Sequence, residues 1–235
     1  MSKIVVLIGA PGAGKGTQAR LLEERRGLPQ ISTGDIFRAL AKSNSPLAEE
    51  VRIKQTAGEL VSDDLVIRIV ADRTSASDCR NGYVLDGFPR TAPQAEMLEG
   101  LARDQQHEIN AVFVDVPPDI LEKRLTGRRT CPVSGEIYNI YFKPPKKEGY
   151  SDLYPDVQLI QRPDDMPDKI KVRLEAYERD TRPIIDYFKQ TGRLERVDGT
   201  LEPEMLYREI EKTLGLDKYA WMERPATGLA GKNKI

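Results

Sequence analysis

The stretch Ile4-Val5-Val6-Leu7-Ile8-Gly9-Ala10-Pro11-Gly12-Ala13-Gly14-Lys15-Gly16-Thr17 decides the fold. An apolar run suited to a buried strand ends in a glycine-bracketed turn, followed by a lysine and then a hydroxyl residue. Glycines allow positive φ and let consecutive N–H groups approach phosphate oxygens. A helix beginning after the turn, expected over 17–26, adds its positive end, and Lys15 reaches the outer phosphates. The spacing is that of a phosphate-binding loop with one departure. Gly16 stands where Ser or Thr is common, and Thr17 follows it.

Working outward, apolar runs at 29–32, 83–86, 111–116 and 194–198 also predict buried strands. Between them lie stretches with helical spacing, such as Leu65, Ile69 and Val70, then Leu98 and Leu101, then Ile120, Leu121 and Leu125. Strands alternating with helices imply an α/β fold of the P-loop NTPase type, a five-stranded parallel sheet flanked by helices. The glycine loop then lies at the carboxyl end of the first strand, where such sheets bind ligands.

Two regions break the alternation. Residues 35–64 hold helical patterns (36–42 and 47–56) but no strand. Residues 127–164 are rich in Pro, Gly and Tyr, and the close spacing of Tyr138, Tyr141, Phe142, Tyr150 and Tyr154 predicts a small β unit. One long helix is expected over 168–190. A tail carrying Trp221 follows residue 216.

Composition narrows the function classes. With 39% apolar and 31% charged residues and a net charge of −1 over 235 residues, the chain suits a soluble protein without a general polyanion-binding surface. Neither a nucleic-acid nor a membrane partner is expected. No apolar run approaches a spanning length, and Met1-Ser2-Lys3 leaves no room for a signal peptide before the first strand. The two cysteines, Cys79 and Cys131, make no disulfide framework, so a cytoplasmic address is expected. The single histidine, His107, lies in a charged stretch unsuited to a general base. Lys15 and a series of arginines, whose rigid forks match phosphate oxygens, carry the chemistry instead.

Those arginines sit in recognisable segments. Ser32-Thr33-Gly34-Asp35-Ile36-Phe37-Arg38 follows the second strand, and Asp86-Gly87-Phe88-Pro89-Arg90, with Gln94 beyond it, follows the third. Leu121 to Arg129 (L-x-x-R-L-x-G-R-R) and Gln161-Arg162-Pro163-Asp164-Asp165 come later, with Arg173 beyond them. Together with the glycine loop they resemble the adenylate kinase family in its long-lid form. They run from Ile4 to about Leu216 in that family's order and spacing. The family's loop also places Gly before Thr, which accounts for Gly16.

The resemblance implies reversible, Mg2+-dependent transfer of the ATP terminal phosphoryl group to AMP, giving two ADP, for adenine nucleotide homeostasis. It places ATP phosphates on Gly12, Ala13, Gly14, Lys15, Gly16 and Thr17, with Arg124 and Arg128. The ATP base and ribose fall to Ile137, Tyr138 and Leu201. AMP falls to Thr33, Arg38, Glu59, Leu60, Val61, Gly87, Phe88, Pro89, Arg90 and Gln94, with Arg162 and Arg173. Lys15, Arg90, Arg124, Arg128, Arg162, Arg173 and Asp86 become the catalytic set. Arg129 is left to pair with a carboxylate. Mg2+ would be held mainly by phosphates and water, with Thr17, Asp86 and Asp35 nearby.

The resemblance also divides the chain into a core (1–34, 65–126 and 165–216), an AMP-binding insertion (35–64), a lid (127–164) and a tail (217–235), and it implies a monomer. Some relatives hold zinc in the lid through paired cysteines. Here Cys131-Pro132-Val133-Ser134 and Asp152-Leu153-Tyr154-Pro155 supply one thiolate and no fourth ligand, so no zinc site is expected. Two alternatives remain at this point. One is a related nucleoside monophosphate kinase with a different base (GTP:AMP or UMP/CMP), against which Thr33 and the long lid argue. The other is a non-catalytic nucleotide-binding regulator or a nucleic-acid binder, suggested by Tyr141-Phe142-Lys143-Pro144-Pro145-Lys146-Lys147 and opposed by Glu148, Asp152 and Asp156.

Overall fold

Strand β1 (Ser2–Ile8) is the centre of the molecule because its side chains are buried on both faces. Ile4, Val6 and Ile8 join one apolar cluster, while Val5 and Leu7 join the other. A strand with no solvent-facing side must be covered on both sides, which helices do. The computed structural model describes residues 2–41, 46–57 and 61–216. Along the chain, β1 is followed by α1 (Lys15–Arg26), β2 (Gln30–Ser32), α2 (Thr33–Leu40), α3 (Pro46–Ala57) and α4 (Asp63–Thr74). Next come β3 (Gly82–Asp86), α5 (Ala92–Gln105), β4 (His107–Asp115), α6 (Pro118–Thr126), β5 (Arg128–Thr130) and β6 (Ile137–Asn139). The chain continues through α7 (Pro167–Ala176), α8 (Pro183–Gln190), β7 (Leu194–Asp198) and α9 (Pro203–Thr213).

Five strands form one parallel sheet in the order β2-β3-β1-β4-β7. Its carboxyl edge carries Ser32, Asp86, Ile8, Asp115 and Asp198 in that spatial order. The glycine loop leaves β1 in the middle of this edge. There, Gly14 takes φ 96° to begin α1, a conformation that strains any residue with a Cβ.

Several boundaries differ from the sequence expectation, each for a local reason. Helix α1 starts at Lys15 rather than 17, because the Thr17 and Gln18 N–H groups already reach Gly14 O. Helix α2 starts at Thr33 rather than 36, because the Ser32 hydroxyl accepts the Asp35 N–H at 3.3 Å as an N-cap. Strand β4 begins at His107 rather than 111; pairing with β1 extends it over polar residues that hide the apolar pattern. The helix expected over 168–190 is two helices joined by a π-helical turn, Tyr177–Thr181. Pro183 has no N–H to continue the ladder, and Arg182 N bonds Tyr177 O instead.

Residues 127–164 do form a small β unit. Strands β5 and β6 pair antiparallel, with further bridges Thr130 to Ile160, Asn139 to Lys143 and Tyr150 to Gln158. Its two loops are tied by polar contacts. The Tyr138 hydroxyl donates to Glu136 at 2.6 Å and accepts from Asp152 N at 2.9 Å. Ser151, one residue before the expected 152–155 run, is the residue that meets Cys131. Burial works to raise the Cys131 thiol, but hydrogen bonds from Ser134, Val133 and Ser151 outweigh it and bring it down to about 7. Cys79 and Cys131 are both buried and free.

No helix among the described residues is long and apolar enough to cross a membrane. Glu59, Leu60 and the tail with Trp221 lie outside the described residues.

Candidate active site

A cleft of about 1380 Å³ opens along the carboxyl edge of the sheet. On its floor, Gly12 to Thr17 curl from β1 into α1, whose first N–H groups have no intrahelical partner. The Lys15 ammonium lies over this loop, donating to Gly9 O at 2.8 Å and Ala10 O at 3.0 Å. Burial pushes Lys15 down to about 8, against the pull of Asp86 and with help from Arg90, Arg173 and Arg128. Gly16 now has a steric reason: a Cβ there would stand 3.1 Å from Asp86 Oδ2. The loop and the end of β3 approach closely enough that any side chain there would press on Asp86.

Opposite the loop, arginines converge from four directions: Arg90 after β3, Arg124 in α6, Arg128 and Arg162 at the two ends of the β unit, and Arg173 in α7. The Arg90 Nε donates to Gly87 O at 2.8 Å. Arg124 donates to Gly199 O at 2.8 Å, beside Thr200 and Leu201. Arg128 forms a two-pronged pair with Asp165, at 2.7 and 2.5 Å, and Arg173 reaches the same carboxylate at 2.9 Å. Arg162 donates to the Thr130 hydroxyl at 3.3 Å.

Burial and mutual repulsion lower Arg90 and Arg173, and they bring Arg162 down to about 10. Burial would raise Asp164, but Arg173 and Arg128 outweigh it and hold this carboxyl below the usual range. Asp35 behaves alike: burial opposes ionisation, and the Arg38 charge and hydrogen bond at 2.5 Å overcome it. A guanidinium cluster this dense, lining one cleft, suits phosphate oxygens.

Most of the residues singled out in the sequence line this one cleft: the loop, Asp35, Arg38, Asp86, Gly87, Pro89, the five arginines just described, Ile137, Tyr138 and Leu201. Others do not. Phe88 and Val61 are buried in the sheet's apolar cluster, so their side chains pack rather than bind. The Thr33 hydroxyl donates to Gly87 O at 2.8 Å, holding the turn that carries Arg90. Gln94 is buried at 2% exposure behind Arg90.

The carboxylate expected for Arg129 is replaced by main-chain oxygens. Its Nη1 donates to Thr126 O at 3.1 Å and Arg128 O at 2.7 Å, a cap on the end of α6. Asp165 received no role from the sequence, yet it is fully buried and ties Arg128 to Arg173. Its signal was the acidic pair Asp164-Asp165 that follows Arg162-Pro163, since a buried carboxylate requires cationic partners.

Groups of three or more His, Cys, Asp or Glu able to hold a metal are absent among the described residues. The cleft offers instead the Thr17 hydroxyl and the Asp86 carboxylate beside the loop. Hard oxygen donors this few suit Mg2+ brought in with phosphates and water.

The family model for adenylate kinase matches residues 7–193. The chain belongs to the adenylate kinase family. It is 45% identical over 215 residues to an adenylate kinase of Clostridium perfringens (strain SM101 / Type A), covering 91% of this chain and 99% of the relative. It is 46% identical over 215 residues to an adenylate kinase of Clostridium botulinum (strain Loch Maree / Type A3), with the same two coverages. As an adenylate kinase, it is an enzyme that transfers the ATP terminal phosphoryl group to AMP, giving two ADP.

Proposed function

We propose that the cleft performs this transfer with ATP on the glycine loop, AMP on the β3–α5 side, and the transferred phosphoryl group between Lys15 and the arginines. The observation that supports it is the convergence of Lys15 with Arg90, Arg124, Arg128, Arg162 and Arg173 on one cleft. Phosphoryl transfer needs little covalent help from a protein and depends on alignment and charge stabilisation. Gly12 to Thr17 orient the ATP phosphates, and Lys15 follows the moving group. Arg38 and Arg90 hold the AMP phosphate, with Gln94 at the base. Arg124 and Arg128 serve the donor side, and Arg162 and Arg173 bridge the two phosphate chains. The main chain of Ile137, Tyr138 and Leu201 lines the ATP base and ribose.

Mg2+, when bound with ATP, would supply charge neutralisation on the phosphates. Thr17 and Asp86, with Asp35 farther out, are the residues that would hold it or its water. Residues 127–164 act as a lid and 35–64 as the AMP-binding insertion on the remaining core. Shutting both excludes water, which would otherwise take the phosphoryl group. The Arg20 guanidinium already reaches Gly135 O of the lid at 3.2 Å. The protein works as a monomer, with ATP, AMP and ADP as its only required partners.

The test is a coupled ADP-release assay offering AMP, CMP, UMP and GMP with ATP or GTP and magnesium. Turnover is expected to be fastest with ATP and AMP. Absence of turnover with that pair overturns the proposal, and faster turnover with UMP moves it to a pyrimidine acceptor.

A further inference from the structure

Gln94 is engaged at both ends of its side-chain amide. Its Oε1 accepts the Arg90 backbone N–H at 2.8 Å, and its Nε2 donates to Asp63 Oδ1 at 2.6 Å. Asp63 is the first residue of α4, remote in sequence from Gln94. Its second oxygen accepts the Thr91 hydroxyl at 3.1 Å. Thr91 in turn caps α5 by accepting the Gln94 N–H at 3.3 Å. One carboxylate therefore holds both the Gln94 side chain and the cap of the helix that carries it.

A free carboxamide can rotate by half a turn and exchange its donor and acceptor. Here that rotation would set Nε2 against the Arg90 N–H, donor facing donor. It would also set Oε1 against a carboxylate, acceptor facing acceptor. Each heteroatom keeps one bonding position in reserve, a second N–H and a second lone pair, in a spatial order that cannot be reversed.

We propose that Asp63 is a specificity-determining positioning residue, locking the Gln94 amide so that the acceptor site takes a 6-aminopurine and rejects a 6-oxopurine. The proposal rests on the bound AMP base reaching Gln94, which is 2% exposed and sits behind the cleft lining. Adenine presents an N1 acceptor beside an amino donor, which suits the spare N–H and lone pair. Hypoxanthine presents N1–H beside a carbonyl and is matched only by the flipped amide. Leaving such groups unpaired in a buried site is what makes hydrogen-bonded recognition selective. Asp63 acts through Gln94 and touches no reacting atom.

AMP and IMP differ only on this edge, so they are the probes. Initial rates with ATP and each acceptor are compared for the wild type, Asp63→Asn and Gln94→Ala. The carboxamide introduced by Asp63→Asn can donate as well as accept, so it removes the lock with little change of shape. The expected result is a fall of about 10-fold or more in the AMP-to-IMP ratio of kcat/KM for Asp63→Asn, carried by the acceptor KM, with the KM for ATP unmoved. An unchanged ratio, or an equal loss for AMP and IMP, overturns the proposal and leaves Asp63 a purely structural residue.

If Gln94→Ala also keeps the wild-type ratio, Gln94 does not read the base and the proposal falls with that premise. If Gln94→Ala collapses the ratio while Asp63→Asn keeps it, only the role of Asp63 is lost. Should Asp63→Asn fail to fold, a wild-type crystal structure with AMP decides. An intact bond from Gln94 Nε2 to Asp63 supports the lock, and a broken or reversed one overturns it.

Discussion

The phosphate loop and the arginine wall face each other across one cleft but hold their cations differently. Lys15 is held by uncharged main-chain oxygens of Gly9 and Ala10, whereas Arg128 and Arg173 share the fully buried carboxylate of Asp165. Neutral partners orient the lysine without cancelling its charge, so its field stays directed into the cleft. Carboxylate partners offset the cost of burying two arginines together, so their positions are built into the fold. In the proposed function the loop is thus a binding surface first, and the arginine wall is binding surface and structural joint at once.

Mutating the loop should therefore harm catalysis without harming the fold. Lys15→Met is expected to lower kcat/KM by on the order of 10²–10³-fold, the scale for removing one preorganised charge stabiliser. Its thermal midpoint should hold or rise, since a costly buried charge is gone. A clear fall in that midpoint would erase the distinction between the two walls.

Asp165→Asn attacks the other wall and should do the reverse. Removing the charge that ties Arg128 to Arg173 is expected to destabilise by about 3–5 kcal/mol, because it leaves buried guanidiniums uncompensated. For a chain of this size that lowers the melting temperature by on the order of 10 °C, read by calorimetry. A midpoint shift under about 2 °C would mean the pair is not structural.

The pH dependence sharpens the same contrast. Lys15 is lowered from 10.5 to about 8, so kcat/KM for ATP should fall as pH rises through about 8, approaching tenfold per unit above it. The kcat profile should lie at higher pH, since bound phosphate favours the charged lysine. Stability runs in the opposite direction for this group. Its folded value lies below its unfolded one, so the burial cost is fully present below about 8 and is relieved as pH climbs toward 10.5. A kcat/KM profile that stays flat across this window would contradict the burial of Lys15.

The smallest effect is expected at Gly16, where loop and sheet edge meet. Gly16→Ala brings a methyl to 3.1 Å from Asp86 Oδ2, so Asp86 must give way by a few tenths of an ångström. A loss of ATP affinity of a few-fold, seen by titration calorimetry, is expected, and the AMP KM should stay put.

The chain's chemistry was legible where residue type alone sets it. The glycine loop, Lys15 and the arginine-bearing segments pointed to the family, and folding gathers them along one cleft. The number of strands in the main sheet and their parallel sense followed from runs such as 4–8 and 83–86, buried on both faces. Where pairing or capping competes with composition, the sequence was misleading. His107, Glu108 and Asn110 lay outside the strand expected at 111–116, yet β1 draws them into β4; and Pro183 splits the helix expected over 168–190.

Sequence by itself determined the family, the sheet and the cations that line the cleft, because these depend on local residue chemistry at fixed spacing. Only the tertiary structure decided which partners those cations keep: Asp165 between Arg128 and Arg173, Asp63 behind Gln94, and Asp86 against Gly16. Those contacts join elements far apart in the chain, and a carboxylate's role is set by what folding brings within about 3 Å of it, which no local pattern records.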